Sequence, residues 1–277
     1  MVKIISDSTC DLSQELLRKY EIDILPLHIL LGDKEYEDGK NITPDQIYAW
    51  SDANKTTPKT SAPALADAME LFRPYAEAGR EIVCFSISAG MSTSGNVMRL
   101  AAEELGASDR IKVIDSANLS TGIGLLVVEA AIMAKNNRTA SQIVSEIEKL
   151  KPNVRASFTY LYRGGRCNAV AAMAGGVLKL HPRIVVEDGA MNASKKYRGK
   201  IASVVMNYVK DMEKDLKKAR PERVFITHSG CEQETVEKVR AYLKELDIFD
   251  EILETRAGGV VSSHCGPGTL GVLYIAK

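Results

Sequence analysis

The stretch "EIVCFSISAGMSTSGNVMRLAAEEL", residues 81–105, decides how the rest of the chain is read. Ile82, Val83 and Phe85 form an apolar run of strand length. The run gives way to Ser86, Ser88, Ser92, Thr93 and Ser94, with glycines at 90 and 95, and then to a helix-like segment. A strand that hands over to a helix is the repeating unit of a parallel sheet. The hydroxyls gathered at the handover pose a chemical question: they suit a nucleophile, a phosphate cradle, a carboxylate clamp or a plain polar turn.

The same rhythm extends outward in both directions. "VKIIS" reads as a buried strand, and Leu16, Leu17 and Tyr20 share one face of the helix after it, with Asp11 as its expected N-cap. "IDILPLHILL" returns to strand, and "GDKEYEDGKN" is polar and turn-rich. "SAPALADAMELFRPYAE" predicts a helix opening at Ser61, with Pro63 tolerated in its first turn. "IKVIDS" is another strand. The helices "GLLVVEAAIMAKNN" and "ASQIVSEIEKLK" follow, the second behind a Thr139/Gln142 capping box. Near-continuous apolar strands separated by helices imply a parallel, Rossmann-like sheet covered on both faces.

The rhythm breaks at "KPNVRASFTYLYRGGR", residues 151–166, which places a domain boundary near 152. The expected organisation is an N-terminal α/β domain, 1–152, and a C-terminal α/β domain, 153–277. The second half offers a small-residue helix ("NAVAAMAGGVLKL"), a strand ("RIVVEDG") and an amphipathic helix around 200–217. The strands "RVFITH" and "EILETR" flank the helix "QETVEKVRAYLKEL", and an apolar strand closes the chain.

Composition narrows the classes of function. The 277 residues are 45% hydrophobic and 26% charged, enough for real cores. Thirty-six basic residues balance thirty-six acidic ones, so nothing favours nucleic acid or an anionic membrane surface. Five scattered cysteines read as reduced thiols. No apolar run approaches the roughly 18–20 residues of a membrane span, and the start shows no signal segment. A soluble, cytoplasmic, monomeric protein without stable membrane insertion is expected.

The chemistry separates less cleanly. A hydrolase elbow needs G-x-S-x-G, and "GMSTSG" has one residue too many after Ser92. A P-loop needs a lysine, and none lies within 81–98. A helix N-terminus flanked by neutral hydroxyl donors suits a carboxylate. Plain N-caps at Ser92 and Ser94 remain the alternative. "TTPKTSAPA" repeats the setting with Thr60 and Ser61 before a helix start, one of them the expected N-cap. The four histidines show no metal-ligand spacing, so no metal or cofactor is expected. His28 reads as a satisfied core residue, whereas His264 in "SSHCGPGT" reads as a loop side chain presented to a ligand. Cys265 beside it invites a Cys/His pair, but neighbours on an extended segment point opposite ways. Arg166 in "RGGRC" suits either an anionic ligand or an acidic neighbour. A serine hydrolase using Ser92 and His264 is the competing class, and a sugar- or nucleotide-binding module is the third.

Six fragments in register resemble the DegV family over essentially the whole chain. They are "IISDSTCDLSQELLRKYEIDILPLHI", "EYEDGKNI", "PKTSAP", "YRGGRC", "VVEDGAM" and "HCGPGTLG". The resemblance implies a two-domain α/β protein that buries a long-chain fatty acid between its domains. It implies that Thr60 and Ser92 hold the carboxylate, with His264 near the head group. Ser61, Thr93 and Arg166 are the further candidate contacts. It also implies a substrate carrier without catalysis of its own, which presents the acid to a separate fatty-acid kinase that makes an acyl phosphate for phospholipid synthesis. The segment 168–180 would wall an acyl tunnel or pack as ordinary core. Two departures from the family pattern stand out. Met91-Ser92-Thr93-Ser94-Gly95 replaces L-S-G-T-Y, so Thr93 stands where glycine is usual and offers another hydroxyl. "LHPRI" replaces I-K-P-I-L and brings His181 and Arg183 to the expected pocket mouth or partner surface.

Overall fold

The structure, a computed structural model, describes residues 1–159 and 180–277. The chain begins with β1 (Lys3–Asp7), α1 (Gln14–Tyr20), β2 (Asp23–Leu25), β3 (His28–Leu31) and β4 (Lys34–Glu37). It continues through α2 (Pro44–Asn54), β5 (Lys59–Ser61), α3 (Leu65–Glu77), β6 (Ile82–Ser86), α4 (Ser94–Glu104) and β7 (Ile111–Asp115). Two helices, α5 (Thr121–Lys135) and α6 (Ala140–Leu150), precede β8 (Val154–Thr159). After the undescribed stretch come β9 (Leu180–Glu187), β10 (Ala190–Arg198), α7 (Ile201–Asp211) and α8 (Glu213–Leu216). The last elements are β11 (Ala219–His228), α9 (Gln233–Glu245), β12 (Glu251–Arg256), α10 (Gly259–Cys265) and β13 (Leu270–Ala276).

The first sheet runs β2-β1-β6-β7 with every described pairing parallel. Strand alternation divides its side chains between two cores. Val83 and Phe85 of β6 join Ile4 and Ile114 against α1, α5 and α6. Ile82 and Cys84 join Ile5 and Ile111 against Phe72 of α3 and Met98 of α4. Burial on both faces is why these strands read as unbroken apolar runs. The second sheet runs β10-β9-β8-β13-β11-β12, and only its β11–β12 pairing is parallel. Phe158, Phe225 and Leu273 face α5, while Val224, Ile226 and Val272 face α7 and α9. Helix α5 therefore lies between the two sheets. Its run Thr121–Val128 is buried throughout, as an all-round apolar helix requires.

A third sheet, β4-β3-β5, packs with α2 and α10 around Leu27, Ile29, Ile47 and Val260. Three sequence expectations change here. "IDILPLHILL" is two strands in two sheets, because Pro26 has no N–H to continue a ladder. Ser61 does not open a helix. The segment Lys59–Ser61 pairs antiparallel with β3, and α3 begins after Ala64, with no side-chain cap. Asp11 does not cap α1. A short turn, Ser8–Cys10, intervenes, and the Ser13 hydroxyl accepts from the Leu16 amide instead. The Thr139/Gln142 capping box forms as expected. The small-residue helix expected at 168–180 lies outside the described residues, apart from Leu180, which begins β9. Among the described residues, no helix is long and apolar enough to cross a membrane.

Candidate functional site

A cavity of about 530 Å³ opens beyond the carboxyl ends of β6 and β7, where ligands of open α/β sheets bind. Ile87, Met91 and Ser92 come to it from the turn after β6, and Leu119 and Ser120 from the turn after β7. Phe158 and Ile184 wall it from the second sheet, and Val260 and His264 from α10. Its size suits a small organic ligand, and its walls mix branched and aromatic side chains with a few hydroxyls.

Thr60, Ser61, Ser92, Thr93 and His264 all reach this one cavity. Arg166 lies outside the described residues. Thr60 arrives on β5, paired in register with Ile29, and its Oγ1 is 2.8 Å from His264 Nε2. When that nitrogen carries the proton it donates to Thr60, which leaves the threonine hydroxyl proton to face the cavity. Ser61 sits exposed at the rim. Ser92 Oγ lies 2.8 Å from Ser94 Oγ and accepts from the Ser94 amide at 3.3 Å. Neither Ser92 nor Ser94 is the N-cap of α4. Thr93 holds that position without a side-chain cap bond, so its hydroxyl is spared for other work. Gly95 is demanded by packing, since a Cβ there would come within 2.7 Å of Ser86 Oγ.

His264 belongs to the last turn of α10 and not to a loop. The small residues before it form a helix because Gly258 and Gly259 bring its start against two carboxylates. The Gly258 amide donates to Asp11 Oδ1 at 2.8 Å, and the Gly259 amide to Asp38 Oδ1 at 2.6 Å. A Cβ at Gly258 would stand 3.2 Å from both. Cys265 beside His264 is buried, and desolvation pushes its thiol up to about 12. A thiol so protonated is no nucleophile. Ser92 makes no hydrogen bond to His264 among the described residues, so the contact a serine hydrolase needs is not formed here.

Arg183 does not line the cavity. Ile184 lines the cavity, so its neighbour points to the other face of the sheet. There Arg183 Nε donates to Ser157 Oγ at 2.9 Å and the guanidinium lies over the Tyr208 ring. By strand alternation His181 shares that side. Neither residue is at the cavity mouth.

Three buried acids support the site, and of these the sequence singles out only Asp11, as a helix cap. Asp7 accepts from the Thr9 and Ile87 amides, and burial raises it to about 6. Burial raises Asp11 to about 8 and Asp38 in the same direction. Ser120 was missed as well, although "DSANLSTG" repeats the strand-to-helix hydroxyls of residues 85–96.

Comparison with known proteins identifies the family and the fold. The sequence profile described as "Uncharacterised protein, DegV family" matches residues 1–277. The chain belongs to the DegV family. A DegV domain-containing protein of Clostridium acetobutylicum is 31% identical and is matched over 100% of this chain and 99% of its own. One from Deinococcus radiodurans is 30% identical, over 98% and 97%. Among solved structures, a DegV-family protein from Thermus thermophilus described for its fatty-acid binding superimposes with a TM-score of 0.89. It is 25% identical and covers 100% of this chain and 99% of its own. A stearic-acid-binding protein from Eubacterium ventriosum superimposes at 0.86 with 30% identity, over 100% and 99%. The α/β architecture is thus shared with these two solved structures.

Proposed function

We propose that the cavity holds a long-chain fatty acid between an N-terminal domain, 1–152, and a C-terminal domain, 153–277. The observation that carries this reading is the convergence of Thr60, Ser92 and His264 on one largely apolar cavity. The Thermus and Eubacterium proteins, described as fatty-acid binders, support it through the same fold over the full length. The hydroxyls donate to the carboxylate, His264 orients that of Thr60, and Met91, Leu119, Phe158, Ile184 and Met191 cover the start of the tail. Each buried methylene contributes about 0.8 kcal/mol, so the tail supplies most of the affinity and the head group fixes direction.

The chain acts as a carrier that presents its carboxylate to a separate kinase subunit for phosphorylation, within phospholipid synthesis in the cytoplasm. It works as a monomer and catalyses nothing alone. Organic extraction of purified protein with mass spectrometry, followed by titration of the delipidated chain with stearate and stearyl alcohol, tests the binding. A chain that yields no fatty acid and ignores stearate would refute it. Acyl phosphate formed from ATP by the isolated chain would refute the carrier role.

A further inference from the structure

The segment "DSTCD" at the end of β1 has no task in the fatty-acid reading. Asp11, its last residue, is 5% exposed and left-handed, at φ 51°. Its Oδ1 accepts the Gly258 amide at the start of α10, the helix that carries His264. Its Oδ2 accepts the Ser120 hydroxyl at 2.5 Å. Ser120 lines the cavity and is held at φ 54°, ψ −145°, where a serine stays only under constraint from its surroundings. One carboxyl therefore fixes a cavity side chain on α5 and the start of α10. Asp7, Asp38 and the thiols of Cys10 and Cys265 face Asp11 from β1, the third sheet and α10. Arg18, Lys40 and Arg256 line a groove on its outer side, and the last two pair with Glu37 and Asp45.

We propose that Ser120 is a third hydroxyl contact for the ligand carboxylate, and that Asp11 is the positioning residue that sets whether Ser120 donates. The inference rests on the fatty-acid reading above. When Asp11 is ionised it accepts the Ser120 hydrogen bond, and the serine turns only lone pairs toward the cavity. Those repel a carboxylate. When Asp11 is protonated, its O–H donates to Ser120 Oγ, and the serine O–H is free to donate a hydrogen bond to the ligand. Burial, with no cationic partner among the described residues, favours the protonated form near neutral pH, consistent with an Asp11 carboxyl raised to about 8. Above that range, carboxylate binding takes up one proton at Asp11.

The test is titration of delipidated wild type, Ser120→Ala and Asp11→Asn with stearate between about pH 7 and about pH 9, with stearyl alcohol as the neutral control and a melting curve for each variant. Wild-type affinity for stearate should fall about tenfold across that range while that for the alcohol stays level. Ser120→Ala should bind stearate about tenfold more weakly at neutral pH and lose the slope. Asp11→Asn should also be flat, because an amide accepts from Gly258 and donates to Ser120 at every pH. A flat wild-type profile, a slope that survives in Asp11→Asn, or a Ser120→Ala variant changed in melting alone would overturn the inference. Should Asp11→Asn not fold, the wild-type slope and the Ser120→Ala comparison decide. Wild type that binds no stearate at any pH refutes the carboxylate reading itself, and this inference with it.

Discussion

Thr60→Val removes one hydroxyl and keeps the side-chain shape, so it isolates the head-group interaction. Valine is as good a strand residue as threonine, and β5 keeps its backbone pairing with β3. The change deletes the acceptor for His264 Nε2, 2.8 Å away, and the donor aimed at the ligand. A hydrogen bond to a charged group is worth about 1.5–3 kcal/mol, and each 1.4 kcal/mol is tenfold in affinity. Stearate should therefore bind about tenfold to a hundredfold more weakly, while stearyl alcohol loses little. Competition against a fluorescent fatty acid measures both ligands at fixed pH, and thermal melting follows the fold. A cycle with Ser92→Ala shows whether the two hydroxyls serve one carboxylate, since shared partners couple non-additively. If both variants melt lower but keep the wild-type preference for acid over alcohol, the hydroxyls are structural and the clamp is wrong.

Three further outcomes are expected. Lengthening the acid by two carbons should tighten binding by about 1.6 kcal/mol, roughly fifteenfold, until the cavity is full. Calorimetry across a chain-length series would show that plateau, and affinity independent of length would contradict an acyl cavity. Glu129→Gln leaves the Arg223 guanidinium, 9% exposed, without its close partner. The loss of about 3 kcal/mol should lower the melting temperature by roughly 6–12 °C, read by calorimetry. His28 bridges Glu35 at 2.5 Å and Asp67 at 2.9 Å. Desolvation pulls its pKa down, but the two carboxylates outweigh it and the net direction is up. That contribution to stability is complete below the unfolded value of about 6.5 and is lost as pH rises through the raised one. His28→Gln should flatten that part of the melting profile, and an unchanged profile would remove His28 from the account.

Much of this fold is written locally. Buried parallel strands, the all-apolar α5 and the Thr139 cap each follow from neighbours in sequence, and each was legible. What failed depended on distant partners. Thr60 and Ser61 look like caps in a window of ten residues, yet β3 claims them as a strand thirty positions away, with His28 opposite Ser61. The small residues of "SSHCGPGT" look like a loop around His264, yet Asp11 and Asp38 hold the start of a helix that carries it. The hydroxyls of the site were readable as a chemical type. Their supports, the buried aspartates, were not, because an aspartate in a turn reads the same whether it faces water or a helix start.

The 204 positions between Thr60 and His264 also set the order in which the protein comes into being. During synthesis the strands of the first sheet are complete once residue 115 has left the ribosome, whereas the cradle around Leu27 and Ile29 still waits for Val260. Closing so long a loop is slow, and the apolar faces around it stay open to other chains in the meantime. The growing polypeptide is therefore most in need of shelter, by a chaperone or by an early lipid, in the interval between those two moments, and a chain cut short before α10 should remain in that state for good.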